Sequence, residues 1–183
     1  KIAHFDGTDF TIQFSVPDVP IYDLFGQGDD HVWAVTGWNH PPPISYLAEY
    51  TNGAWQTVYQ VEGIGDSLGY WYYGCAIGDS LYLSSYGGII KRSILTGEVN
   101  LIPTAVIEDE PWKLGRVRGT GPNDLMVQAT DATLRHWNGA SWQVAINLQS
   151  YYTSYMGNFK LTHDYFVGVG NMQSGGFVIK ALR

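Results

Sequence analysis

Charge is scarce in this chain. Only 15% of its 183 residues are Asp, Glu, Lys or Arg, against about a quarter in ordinary soluble domains. The 10 Lys and Arg are outnumbered by 17 Asp and Glu, for a formal net charge of −7. A general nucleic-acid surface gathers its cations on one face, so a few scattered along an acidic chain exclude that class of partner. Cysteine is almost absent, and Cys75 stands alone. One thiol makes no internal disulfide and no metal-type pair, and its expected role is that of a small buried apolar residue. No stretch approaches the roughly 20 apolar residues of a membrane-spanning helix, and no membrane insertion is expected. Sustained helical periodicity is missing too. The chain opens on "KIAHFDG", already in a strand pattern, without an initiator Met or signal peptide. It therefore reads as a processed or excised piece.

Aromatics and glycine are plentiful. Phe, Trp and Tyr make up 15% of the chain, with 7 Trp, 13 Tyr and 22 Gly. One phrase recurs: "HFDGTDFT" from His4, "EYTNGAWQ" from Glu49 and "HWNGASWQ" from His136. "KRSILTGEV" is a weaker copy. The turn glycines Gly7, Gly53, Gly97 and Gly139 are 46, 44 and 42 residues apart. N-G and D-G between apolar runs are strong hairpin signals, because the favoured turns need positive φ. A second phrase keeps step. "FGQGDDHVWAV" and "RGTGPNDLMVQ" each run from a glycine through a polar turn into an apolar strand, and "IGDSLYLSS" and "THDYFVGVG" are looser copies.

Each unit therefore spans 40 to 49 residues and holds four short strands. The spacing places the units at 20–61, 70–102 and 112–147, with partial ones at 1–16 and 154–183, in one domain over 1–183. Prolines fall between the runs, where they are tolerated. Four-stranded units of this length, repeated radially, are the sequence signature of a β-propeller. A blade cannot bury both its faces alone, so its neighbours sandwich it, and large flat side chains suit the wedge between blades. The expectation is all-β, with four-stranded antiparallel blades. Residues 1–15 completing the last blade would close a five-bladed ring, although "KIAHF" and "GFVIKALR" compete for the same third-strand place.

The paired segments "LFGQGDDHVWAVTG … LAEYTNGAW" and "VRGTGPNDLMVQAT … LRHWNGASW" resemble the bacterial and phage-type propeller repeat that reads approximately V-W-G … D-V-W-A-V-G … H-W-D-G-x-x-W. The likeness covers most of the chain. It departs in the third unit, where Cys75 stands near the glycine position, and in the fifth, which lacks the final Trp-x-Gly. Such repeats occur in secreted, cell-surface and phage-associated proteins. The resemblance implies a propeller and an extracellular, cell-surface or virion setting, and it implies no chemistry.

The search for chemistry excludes more than it finds. His4 and His136 hold equivalent repeat positions, and His31 and His163 adjoin the aspartates of equivalent turns, which gives all four structural roles. No metal-ligand spacing appears, so neither metal nor cofactor is expected. The acidic run Glu108–Glu110 lies in a linker. A glycosidase needs two opposed carboxyl groups, and the innermost strands supply little beyond Asp23. No G-x-S-x-G nucleophile is present. Two features remain. In "WKLGRVRG", period-2 alternation puts Arg116 and Arg118 on one face, where they line the axial channel and meet an anion, pair with Asp23 or Glu110, or lie at the blade edge. The other feature is aromatic clusters outside the repeat: Trp38 and His40 in "GWNHPPP", Trp71 and Tyr72 in "GYWYYG", and Tyr151 and Tyr152 in "SYYTSY". Loops on a rigid ring are where binding residues concentrate. The expectation is a non-enzymatic module that recognises a glycan or a protein through these side chains. A structural subunit contacting neighbouring chains in a virion or surface assembly is the alternative, and a five-bladed glycosidase a minor one.

Overall fold

A computed structural model describes residues 1–28, 30–38, 44–62, 71–85, 87–103, 115–129, 132–148, 155–172 and 175–182. All regular structure in them is β. The N-terminal pair is β1 (Ile2–Phe5) and β2 (Phe10–Phe14). A four-stranded sheet follows: β3 (Ile21–Gly26), β4 (Val32–Trp38), β5 (Ile44–Thr51) and β6 (Ala54–Glu62). The next is β7 (Trp71–Ile77), β8 (Ser80–Ser85), β9 (Gly88–Ser93) and β10 (Val99–Pro103). Then come β11 (Val117–Gly121), β12 (Asp124–Gln128), β13 (Thr133–Trp137) and β14 (Trp142–Asn147). A three-stranded sheet ends the chain: β15 (Tyr155–Leu161), β16 (Tyr165–Met172) and β17 (Gly175–Leu182). Every sheet is an antiparallel meander in chain order, and the arrangement is that of a β-propeller, with β3, β7, β11 and β15 as the successive innermost strands.

The recurring phrase has a structural meaning. In β5–β6 the pair Thr51–Ala54 flanks Asn52 and Gly53, which stand at φ 53° and 80°. This is the two-residue turn with both positions left-handed. One rung beyond each copy of the turn, two aromatics face each other: Phe5 and Phe10, Tyr50 and Trp55, Trp137 and Trp142. Their ring centroids lie 4.7, 5.5 and 5.4 Å apart. Direct cross-strand aromatic pairs stabilise a hairpin and hold its register.

Apolar layers between successive sheets form the core. Trp33, Val35 and Leu47 meet Trp71, Leu81, Leu83 and Ile90 between the first two four-stranded sheets. Tyr82 and Ile89 meet Val117, Leu125 and Val127 in the next layer. Met126, Leu134 and Leu148 meet Phe159, Leu161 and Phe166 in the last. The N-terminal hairpin packs Ile2 and Phe14 on Ala34, Ala48 and Trp55.

The expected ring closure is not found among the described residues. The hairpin β1–β2 is a separate two-stranded sheet, and the C-terminal sheet has three strands. The competition between the two third-strand candidates explains why. β17 pairs with β16 along its whole length, from Tyr165–Leu182 to Met172–Gly175, and so occupies the place that β1 would need.

Candidate functional site

The innermost strands β3 and β7 each start with an irregularity. Tyr22 and Tyr72 are extra residues, since Ile21 and Asp23 oppose adjacent residues of β4, and Trp71 and Tyr73 adjacent residues of β8. Such bulges re-aim the side chain that follows. Asp23 then stands opposite Val35 and Tyr73 opposite Ser84. At the matching level of the next sheet, the Arg116 carbonyl accepts from the Gln128 amide. Asp23, Tyr73 and Arg116 thus hold equivalent places in three blades, and they converge.

Asp23 is buried, 8% exposed. Its carboxylate accepts from Arg116 Nη1 at 3.1 Å, from Arg118 Nη1 at 3.2 Å and from the Gly74 amide at 3.1 Å. The Arg116 guanidinium lies over the Tyr73 ring, 4.5 Å from its centroid, and its Nε donates to the Gly157 carbonyl at 2.7 Å. Arg118 Nη1 also donates to the carbonyls of Gly74 and Val117, both at 2.8 Å. One carboxylate and two guanidiniums therefore tie together all four innermost strands. Both arginines thus pair with Asp23, through one Nη1 each. The cluster still carries one positive charge in excess.

Beside it opens a cleft of about 410 Å³, lined on one side by Leu24, Phe25 and Gly26, on another by Arg118 and Gly119, and on the third by Asn158 to Leu161. Cys75 lines its floor. Burial pushes that thiol up to about 12, a larger effect than the nearby Arg118 charge, which acts the other way. Cys75 is therefore a neutral core residue and not a nucleophile. A larger depression of about 650 Å³ lies between the β3–β4 and β5–β6 turns. Its walls are turn residues, and its one notable contact, His31 Nε2 to Glu49 Oε1 at 3.3 Å, has a structural counterpart described below.

The aromatic candidates fare differently. Trp71 is fully buried and parallel to Tyr59 at 5.2 Å. It is inter-blade packing, which corrects its assignment as a contact residue. Tyr72 is half-buried, edge-on to Tyr22 at 5.5 Å. Trp38 belongs to the β4–β5 ladder, opposite Ile44, rather than to the loop. The Trp38 side chain, His40, Tyr151 and Tyr152 lie outside the described residues. Sequence reasoning missed Asn158 and Lys160. The signal was available, because both stand on an innermost strand as the arginines do.

His136 Nε2 lies 2.8 Å from Asp124 Oδ1, and Thr120 Oγ1 donates to Asp124 Oδ2. The acid sits between the hydroxyl and the imidazole. This inverts the order a nucleophilic triad requires, in which the imidazole touches the nucleophile.

No family model matches the chain, and no curated relative does. Solved propellers match in fold. The structure of YCF48 bound to D1 peptide matches with a TM-score of 0.65 and 12% identity, over 97% of this chain and 56% of that one. The extracellular domain of the one-component system BT4673 from B. thetaiotaomicron matches at 0.52 and 11%, over 90% of this chain and 26% of that one. The Neurospora crassa Pan2 WD40 domain matches at 0.52 and 8%, over 88% and 62%. The chain thus spans about half the length of the first of these. At such identities the likeness is one of fold.

Proposed function

We propose that the chain is a non-enzymatic recognition module that takes a segment of a protein partner against its innermost strands. The observation that carries this reading is a local surplus of cations beside an apolar cleft in an acidic molecule. Asp23 neutralises only one of Arg116 and Arg118, and Lys160 adds a further charge at the cleft. Concave sites with apolar walls and a few fixed polar groups are the usual form of a binding pocket. Opposed carboxylates and an activated nucleophile, the equipment of the glycosidase alternative and of acyl transfer, are missing from the described part of this cleft. A similar fold, that of YCF48, has been solved with a peptide, which favours a peptide over a glycan here. The extracellular or surface setting rests on the repeat resemblance.

Selection of displayed random peptides on the immobilised chain, run beside a glycan array, tests the proposal. Peptides should be enriched, and they should slow amide exchange in β7, β11 and β15. Glycan binding without any enriched peptide would overturn it.

A second reading has its own support. The outer faces of the two terminal sheets expose apolar side chains: Phe5 at 50% and Phe10 at 75% at one end, Val178 at 73% and Leu182 at 83% at the other. Patches of this kind mark protein contacts, as a subunit of a larger assembly would have. Sedimentation across a concentration series separates the readings: a recognition module stays monomeric, and an assembly subunit does not.

A further inference from the structure

We infer that the central cleft is a carboxylate-binding site, in which Arg118, Lys160 and Asn158 hold the two oxygens and Leu24 and Phe25 receive the apolar group next to them. This deepens the peptide reading above and rests on it.

The argument begins with the unused half of Arg118. Its Nη1 is shared among Asp23 Oδ2 and the carbonyls of Gly74 and Val117. Its Nε and Nη2 have no partner among the described residues. Those two nitrogens form one edge of the guanidinium, and that edge matches the two oxygens of a carboxylate. The engaged Nη1 fixes the plane of the group, so the free edge is held in place before any ligand arrives, and little side-chain freedom is lost on binding.

Arg118 shares the cleft with Asn158 and Lys160. On β15 the buried Phe159 and Leu161 alternate with these two exposed residues. Asn158 Oδ1 accepts from the Phe159 amide at 2.9 Å, which leaves the Asn158 amide N–H groups as donors. Lys160 has no partner among the described residues. The cleft thus offers a planar fork, a point charge and a neutral donor, and its described lining residues include no carboxylate to repel an anion. The opposite wall is apolar, and its Leu24 is 47% exposed. A phosphate group would gain from the charges and nothing from that wall. A carboxylate on an apolar stem uses both. Two sources fit this chemistry, a chain-end carboxylate after an apolar residue and the side chain of Glu.

The test is an amide-shift titration of the intact chain with four probes: N-acetyl-leucine, N-acetyl-leucinamide, N-acetyl-glutamic acid α-amide and inorganic phosphate. The expected result is saturable shifts at Gly119, Asn158 and Lys160 with one or both carboxylate probes. The leucinamide and phosphate should bind at least about tenfold more weakly. Which carboxylate probe binds tighter identifies the source. Lys160→Gln, an exposed substitution that spares the Asp23 cluster, should weaken the better probe about fivefold or more. Its binding should also weaken as salt rises, since a surface charge is screened over about 10 Å at 0.1 M. Equal shifts with the leucinamide, equal shifts with phosphate, or no shift with either carboxylate would each overturn the site. Peptides selected on the chain that leave these three amides unmoved would overturn the site and spare the recognition reading. A chain that selects no peptide while the probes still bind would do the reverse.

Discussion

Asp23 is the residue on which the centre turns. It is nearly enclosed, it accepts from donors on two other blades, and its removal leaves two guanidiniums facing each other. Breaking a buried ion pair from one side costs about 3–5 kcal/mol. The arginines keep about a fifth of their side-chain surface exposed, so Asp23→Ala should cost about 3 kcal/mol in denaturant unfolding. A loss under about 1 kcal/mol would mean that the arginines simply turn to solvent. A second pairing shows how the repeat conserves an interaction while exchanging its parts. Glu49 stands opposite Trp33 with His31 two residues before that Trp, as His136 stands opposite Met126 with Asp124 two residues before that Met, so acid and imidazole have swapped strands. Asp124→His with His136→Asp should therefore recover most of what either single change loses, about 0.5–1 kcal/mol for a partly exposed pair. At Cys75 the raised value has a pH consequence. The thiol ionises near 9 in the unfolded chain and near 12 in the folded one. Protons leave the unfolded state first, so the contribution of this thiol to stability is fully present below pH 9 and is lost as pH rises from 9 to about 12. The same burial makes Cys75 unreactive toward iodoacetamide at pH 8 until the chain unfolds, which a thiol-labelling time course will show. Alternation in the sequence is enough to bring Arg116 and Arg118 to one face with Asp23 in reach. The burial of Trp71 was not legible, because a bulge at Tyr72 resets the alternation, and a Trp between blades has the same local pattern as one that faces solvent.

Among the elements, the hairpins were the most legible, because their turns demand particular residues. Gly53, at φ 80° with open space around its Cα, shows the demand to be conformational rather than steric. Gly53→Ala should cost about 1 kcal/mol from the left-handed backbone alone. Gly74 is the converse. Its backbone is ordinary, but an added Cβ would sit 2.3 Å from the Phe25 ring. Gly74→Ala should cost more, about 1–3 kcal/mol, as overpacking does, and it should disturb the Gly74 bond to Asp23 as well. Comparison of the two melting temperatures separates these causes. The N-terminal hairpin was legible as strands but not in its place. Its sequence matches strands three and four of a blade, and nothing local says which sheet it joins. Deleting residues 1–15 should uncover Ala34, Ala48 and Trp55, red-shift tryptophan emission, and leave amide protection in β15–β17 unchanged. Loss of protection there would show that the first and last sheets cooperate after all.

At the scale of the whole molecule, the sheets are additive in construction: each is a local meander, and each buries one face on the next. The number and order of the strands follow from a repeat of turns, which is why they could be read without a structure. The cleft could not be read in the same way. It is made where four sheets meet, from Leu24, Cys75, Arg118 and Lys160, residues far apart in sequence whose identities do not repeat. A repeat reveals what its units share, whereas a binding site built at the axis consists of what they do not share.

The Asp23–Arg116 bond joins residues 93 positions apart, while almost every strand pairing closes within a few residues of chain. On a ribosome adding about 5–20 residues per second, Asp23 emerges roughly 5–20 s before the guanidinium that will neutralise it. During that interval the first four-stranded sheet holds a carboxylate that has little reason to leave water. The nascent sheets are free to form but not to seal their centre. The expectation is that the axis locks only once the arginines of the fourth sheet are made, so a chain stalled before residue 116 should stay open to protease at its core.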